Sequence, residues 1–131
     1  MSSLQVIGLT TAIFIPAFAI FFRHADRTND MGTKVYTGIA EGLRMSAEER
    51  RILLYQGWVP TYLGLITFPG AVGYAIYEVA QSATESGAKL VALIYAFLFF
   101  IAFLGVLLTG AAAFLVYANR VVSDEEKPTN G

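Results

Sequence analysis

Three long stretches of the chain carry no charged residue, and this pattern limits the fold more than any other feature. The stretches are Leu4–Phe22, Ile52–Tyr77 and Leu90–Asn119, of 19, 26 and 30 residues. Eighteen or more consecutive, mostly apolar residues without charge are typical of a transmembrane helix. Because lipid offers backbone groups no hydrogen-bond partners, each stretch is expected to be helical. The sequence therefore predicts an all-α integral membrane protein with three transmembrane helices.

Composition excludes several other classes of protein. Of the 131 residues, 56% are hydrophobic and 15% are charged, whereas soluble domains average about 25% charged residues. Nine Lys and Arg against ten Asp and Glu give a net charge of −1, so we expect no nucleic-acid partner. With no cysteine and one histidine, disulfides and His-rich metal clusters within one copy are excluded. We expect a single membrane domain over residues 1–131.

A capping motif and the charged residues predict where the helices begin and end. Ser46 and Glu49 have the S-x-x-E spacing of a capping box, which places the start of the second helix at Ala47. We expect the three helices at about residues 4–22, 47–80 and 88–119. A loop is expected at 23–46, and a polar, acidic tail at 120–131.

The long loop at 23–46 contains a further periodic signal. Val35, Ile39 and Leu43 recur every four residues among charged neighbours. This spacing predicts a short helix lying on the membrane surface or on a partner. Gly38 and Gly42 oppose it, because glycine is a poor helix former.

The distribution of Lys and Arg predicts the orientation in the membrane. Six of the nine lie from Arg23 to Arg51, and Arg120 and Lys127 follow the third uncharged stretch. Lys89 is the only one between the second and third stretches. Positively charged loops stay on the cytoplasmic side. We therefore expect the N-terminus outside and the C-terminus in the cytoplasm, in a bacterial-type inner membrane.

Small residues recur along the second and third predicted helices at steps of three and four. Such residues let helix backbones approach closely, which is a main means of helix association in lipid. The candidate packing residues are Gly57, Gly64, Ala71, Ala102, Gly105, Thr109 and Ala112. The opposite surface of the third helix is rich in Phe and Leu, and we expect it to face lipid or a neighbouring protein.

His24 is the only candidate cofactor ligand. It follows the first uncharged stretch, and its neutral imidazole could bind a haem or chlorin, with Asp26 supporting the ring. The favoured alternative is an interfacial histidine beside Arg23, at a helix end where positive charge is stabilising. We expect no catalytic residue, no metal site and no cofactor apart from lipid.

The uncharged stretches also bear on function. Proton relays and ion pathways normally place ionisable residues at membrane depth, and no triad, carboxylate pair or phosphate loop is recognisable. We therefore expect a non-catalytic accessory or structural subunit of a larger respiratory, photosynthetic or transport complex, with other membrane subunits and lipids as partners. The alternatives are a small homo-oligomeric pore or transporter, and an electron-transfer or antenna subunit that binds haem or chlorin through His24.

Overall fold

Three long helices make up almost all of the structure, a computed structural model that describes residues 2–126. They are α1 (Ser3–Thr37), α2 (Ala47–Gln81) and α3 (Ser86–Glu126). Of the described residues, 89% are helical. Each helix is long and apolar enough to cross a membrane. This confirms the predicted all-helical class with three helices of membrane-spanning length.

The first helix continues well past its apolar stretch, so the loop predicted at 23–46 is too long. α1 runs on to Thr37, and an ion pair of 3.4 Å between Lys34 and Asp30 supports its last turns. Gly38 ends the helix with φ of 72°, and its N–H donates to the Lys34 carbonyl. Lys and Arg are good helix formers, and an Asp four residues before a Lys adds an ion pair along the helix surface. The change from apolar to charged residues therefore did not mark the end of the helix.

The short surface helix predicted around Ile39 and Leu43 is wrong. Val35 belongs to α1, and β1 (Ile39–Ala40) pairs with β2 (Leu43–Arg44) as an antiparallel hairpin. Between the strands, Glu41 and Gly42 both have positive φ, 53° and 82°. A two-residue turn of this type reverses the chain. No helix can continue through it, whatever the spacing of the apolar residues around it.

The second helix begins at Ala47, as the sequence predicted. The Ser46 hydroxyl accepts a hydrogen bond of 3.2 Å from the N–H of Glu49. The Ser46 hydroxyl also donates to the Glu49 carboxylate at 3.2 Å. The cap thus satisfies one of the N–H groups that a helix start leaves without a partner.

A wide turn interrupts α2 just before Pro60. The segment Leu53–Trp58 is π-helical, and the N–H of Val59 donates to the Leu54 carbonyl, five residues earlier. Proline lacks an N–H, so an α-helix would leave the Gln56 carbonyl without its usual donor. In a π turn each carbonyl faces the N–H five residues ahead. The wide turn therefore lies directly before the point where Pro60 removes a donor from α2.

The third helix extends beyond its predicted end at residue 119. Residues 120–126 of the predicted tail are helical, and residues 127–131 lie outside the described residues. The guanidinium of Arg120 lies 4.5 Å from the centre of the Tyr36 ring of α1. Val121 is buried beside Val35 and Leu54. These contacts give the extension neighbours on both other helices.

Contacts between the helices show which residues lie at the same level. In the parallel pair α1 and α3, Thr11 Oγ1 is 3.2 Å from Tyr95 Oη, a sequence separation of 84. α2 is antiparallel to both, and His24 Nε2 is 3.1 Å from the Thr61 carbonyl. Each residue of α1 therefore lies level with the residue about 84 positions later in α3. Because α2 runs in the opposite direction, a residue of α1 and the residue of α2 at the same level have numbers that add up to about 85.

Apolar side chains pack in two separate clusters along the bundle. In the first, called the Phe99 cluster, the Phe99 ring meets those of Phe14 and Phe18 edge-on, with centroids 5.4 and 6.0 Å apart. In the second, called the Trp58 cluster, Trp58 stacks on Tyr62 with centroids 4.9 Å apart. The remaining buried members are Val6, Ala17, Ile76, Ala80, Ala88 and Ala92 in the Phe99 cluster, and Val35, Leu54 and Val121 in the Trp58 cluster.

Candidate functional site

A cleft of about 370 Å³ opens between α1 and α3, and its floor is formed by α2. The floor residues are Trp58, Tyr62 and Leu65. The α1 wall consists of Phe21, Ala25, Thr28 and Asn29, and the α3 wall of Ala102, Gly105, Val106, Thr109, Gly110, Ala113 and Tyr117. We refer to this feature as the α1–α3 cleft. It presents aromatic rings, methyl groups, hydroxyls and one amide, and all three helices contribute to it.

Two tyrosines hold the helices together at the cleft, and each fits against a glycine. A Cβ atom at Gly110 would overlap the Tyr62 ring, and the Tyr62 hydroxyl donates a hydrogen bond of 2.8 Å to the Leu107 carbonyl. A Cβ atom at Gly32 would likewise overlap the Tyr117 side chain. These two contacts bring α2 and α1 close to α3. Neither glycine was among the predicted packing residues.

Three of the four predicted packing residues of α3 line the open cleft rather than a close contact with another helix. Ala102, Gly105 and Thr109 line it, and Ala112 is exposed. A Cβ atom added at Gly105 would have no other atom of the described residues within 4 Å, apart from its own neighbouring backbone. The small residues along this side of α3 are therefore open to the surroundings of the chain.

The predicted packing residues of α2 also make few close contacts. A Cβ atom at Gly64 would lie 3.8 Å from His24 Nε2, and one at Gly57 would meet only Leu53 of the same helix. Ala71 is exposed. The glycines of α2 nearest to α3 are Gly70 and Gly73, which face Phe103 and Phe99.

His24 forms a bridge between two helices. Its Nε2 atom lies 3.1 Å from the Thr61 carbonyl, and the side chain is half-buried. With the proton on Nε2, the imidazole donates to this carbonyl. Among residues 2–126, no group of three or more His, Cys, Asp or Glu side chains could hold a metal ion. One of the two ring nitrogens that could bind a haem or chlorin, Nε2, is thus engaged within the bundle.

Arg50 joins all three helices beyond the end of the Trp58 cluster. Only 7% of the residue is exposed. Its Nε and Nη2 atoms donate to the Val35 carbonyl at 3.1 and 2.7 Å, and Nη2 also donates to the Tyr36 carbonyl at 3.3 Å. Its Nη1 atom lies 3.2 Å from Asp124 Oδ2. The buried charge is therefore compensated by a carboxylate and by carbonyls at the end of α1.

A small polar cavity of about 200 Å³ adjoins this arginine. Its lining includes Thr37, Gly38, Arg44 and Asp124. An apolar groove of about 410 Å³ lies nearer the other end, between α2 and α3, and Tyr74, Phe97 and Phe100 are among its lining residues. The polar cavity lies at the ends of the helices and the apolar groove involves two of them, whereas the α1–α3 cleft is lined by all three within the bundle.

Charged residues of α1 lie level with uncharged residues of the other two helices. By the register given above, the α1 segment from Arg23 to Asp30 lies at the same level as residues 107–114 of α3 and residues 55–62 of α2. Both segments fall inside the uncharged stretches. Leu108 of α3 is 71% exposed, and Leu115, one residue beyond the segment, is 64% exposed. At this level the bundle is charged on its α1 side and apolar on its α3 side. Sequence reasoning missed this because it treated each helix separately.

Comparison of the chain with protein-family models, with curated proteins and with solved structures finds no match.

Proposed function

We propose that this chain is a non-catalytic accessory subunit that stabilises or assembles a larger membrane protein complex. The proposal places it in a bacterial-type inner membrane with the C-terminus in the cytoplasm. The observation that carries the proposal is the mismatch between the charged α1 surface and the apolar α3 surface at the same level. A chain surrounded only by lipid and water has no arrangement that suits both surfaces.

The lengths of the uncharged stretches make this mismatch unavoidable. The hydrocarbon core of a bilayer is about 30 Å thick, and helices rise about 1.5 Å per residue. The stretch in α1 therefore spans about 28 Å, and that in α3 about 45 Å. Because α1 and α3 pack side by side, a tilt that shortens one shortens the other. No single membrane position fits both helices.

Either position of the membrane has a cost. A membrane matched to α1 leaves the exposed side chains of Leu108, Leu115 and Val116 at or beyond its boundary, and each such side chain is worth about 1.5–3 kcal/mol when buried. A membrane matched to α3 places Arg23 and Arg27 in hydrocarbon, at about 2.5–3.5 kcal/mol for each charge near the centre. A protein neighbour that covers the α3 surface removes the first cost without incurring the second.

Cysteine labelling in native membranes tests the proposal directly. The chain has no cysteine, so Leu115→Cys and Arg27→Cys each provide a single thiol. We expect a water-soluble maleimide to label the Arg27→Cys variant in membranes and to label the Leu115→Cys variant only after dissociation of the complex in a harsh detergent. Equal labelling of Leu115→Cys before and after dissociation would contradict the proposal.

The mass of the particle in a mild detergent provides a second, independent test. We expect a complex much larger than the 14.2 kDa chain with its detergent, containing other membrane polypeptides in fixed ratio. A particle of this chain alone would support the homo-oligomeric pore instead. A visible absorption band that travels with the chain would support a haem or chlorin subunit.

A further inference from the structure

We infer that the α1–α3 cleft receives a transmembrane helix of another polypeptide, which is small or apolar where it faces α3 and carries a Lys or Arg near Asp26. This inference rests on the proposed function and adds to it a contact at the cleft, which lies beside the exposed Leu108 and Leu115 of α3, and the chemistry of the partner there. It depends on three features of the cleft, namely its dimensions, its concave shape and the charge on its edge.

The dimensions of the cleft suit a helix. It lies between the Phe18–Phe99 contact and the Gly32–Tyr117 contact, which are fourteen residues apart on α1. At about 1.5 Å per residue, this distance is about 21 Å, or four turns of helix. Its α3 wall consists mainly of small residues, and the space beside Gly105 is open. Small residues on a helix surface allow a second backbone to approach closely.

The concave shape of the cleft opposes a symmetric pair of identical chains. In a two-fold dimer the same surface of each copy must fit itself. A recess whose floor is Trp58, Tyr62 and Leu65 needs a protruding surface instead, and a second recess cannot supply it. The shape therefore disfavours a two-fold pair built on the cleft, and a protruding helix of another polypeptide is the occupant that we infer.

The edge of the cleft carries an acidic residue that is level with uncharged parts of α2 and α3. Asp26 is exposed and lies three residues before Asn29, which lines the cleft, so the two share a face of α1. Asp26 takes part in no ion pair among residues 2–126, although Arg23 lies three residues before it. Residues level with Asp26 on α2 and α3 are uncharged. An exposed carboxylate without an ion-pair partner at the edge of the cleft is electrostatically complementary to a cationic group on the occupant.

Site-specific photocrosslinking in membranes of the native host tests the inference. A benzophenone amino acid replaces Thr109 in the cleft or, as the control, Leu63, which is exposed on α2 and lies at a similar depth. We expect the Thr109 probe to yield one crosslinked transmembrane peptide of another polypeptide, with a Lys or Arg near the Asp26 level. The Leu63 probe should not yield this peptide. A peptide of the same chain, a lipid adduct alone or no adduct would each overturn the inference.

Two substitutions provide a check that does not depend on the probe. Gly105→Leu adds a bulky side chain in the cleft, and its Cβ would have no atom of another described residue within 4 Å, apart from its own neighbouring backbone. We therefore expect the melting temperature of the isolated chain to change little while the crosslink is lost. Asp26→Asn should reduce the crosslinking yield about tenfold, the effect of losing about 1.4 kcal/mol, whereas Asp26→Glu should retain most of it. An unchanged yield in both Gly105→Leu and Asp26→Asn would contradict the inference.

These results also separate the inference from the proposed function. If the large complex persists but the crosslink arises elsewhere on α3, the chain is still a subunit and only the contact site is wrong. If no complex exists in a mild detergent and Leu115→Cys labels freely in membranes, the proposed function itself fails.

Discussion

Arg50 at the start of α2 and Asp124 near the end of α3 are joined by an ion pair of 3.2 Å between Nη1 and Oδ2. The same guanidinium donates to the Val35 and Tyr36 carbonyls of α1. One buried side chain therefore connects the ends of all three helices. Removing it leaves Asp124 without its partner and the last α1 carbonyls without donors.

Arg50→Ala should destabilise the bundle by about 3 kcal/mol, because breaking a buried, hydrogen-bonded ion pair leaves groups unsatisfied. Thermal unfolding of the purified chain in detergent measures the effect. Arg27→Ala is the matched control, since Arg27 is exposed on α1, and we expect less than about 0.5 kcal/mol there. Equal losses for the two variants would show that Arg50 does not connect the helices as described.

Gly110→Ala and Gly105→Ala form a matched pair in the same helix. Alanine at Gly110 meets the Tyr62 ring, so we expect a loss of about 1–3 kcal/mol. Alanine at Gly105 meets only open space, and the higher helix propensity of alanine should raise stability by up to about 1 kcal/mol. Unfolding curves of both variants give the comparison.

The ring of Tyr62 provides the control for this pair. In a Tyr62→Leu background, Gly110→Ala should cost much less than it does alone, because the overlapping atoms are gone. If the cost at Gly110 is the same in both backgrounds, the contact with Tyr62 is not its cause.

His24→Ala removes the hydrogen bond to the Thr61 carbonyl. Polar contacts between membrane helices are worth about 0.6 kcal/mol on average, and we expect a loss of this size. The absorption spectra of the purified wild-type chain and of the variant should both lack a Soret or chlorin band, because Nε2 is engaged with Thr61. A band that is present in the wild type and absent in His24→Ala would assign a cofactor to this residue.

The orientation predicted from Lys and Arg is tested by labelling intact cells. Leu43→Cys lies in the exposed hairpin between α1 and α2, and Glu85→Cys lies in the exposed turn between α2 and α3. A membrane-impermeant maleimide should label Glu85→Cys in intact cells and Leu43→Cys only after lysis. The reverse pattern would invert the topology and place the hairpin outside.

The number of helices and the start of α2 could be predicted from local signals. The absence of charge over eighteen or more residues and the Ser46 cap depend only on nearby sequence. The end of α1 could not be found in this way, because a charged, solvent-facing helix and a polar loop have similar composition. The left-handed turn at Gly38 ends it, and a glycine in sequence does not show its own backbone conformation.

The candidate site was less predictable than the fold. The small residues of α3 were recognised, but whether they face another helix or open space depends on how α1 and α3 are spaced. The contact of Tyr117 with Gly32 sets that spacing, and the contact of Tyr62 with Gly110 holds α2 against α3. The charge mismatch at the level of Asp26 likewise requires the register between helices, which no single segment contains.

The wide turn at Leu53–Trp58 adds one residue to the path of α2 between Arg50 and Tyr62. A regular helix advances about 100° per residue, so this extra residue changes the azimuth of everything before it relative to everything after it. It lets one continuous helix direct Arg50 towards Asp124 and Tyr62 towards Gly110. Deleting a single residue there would leave both ends helical yet rotate one contact away from its partner.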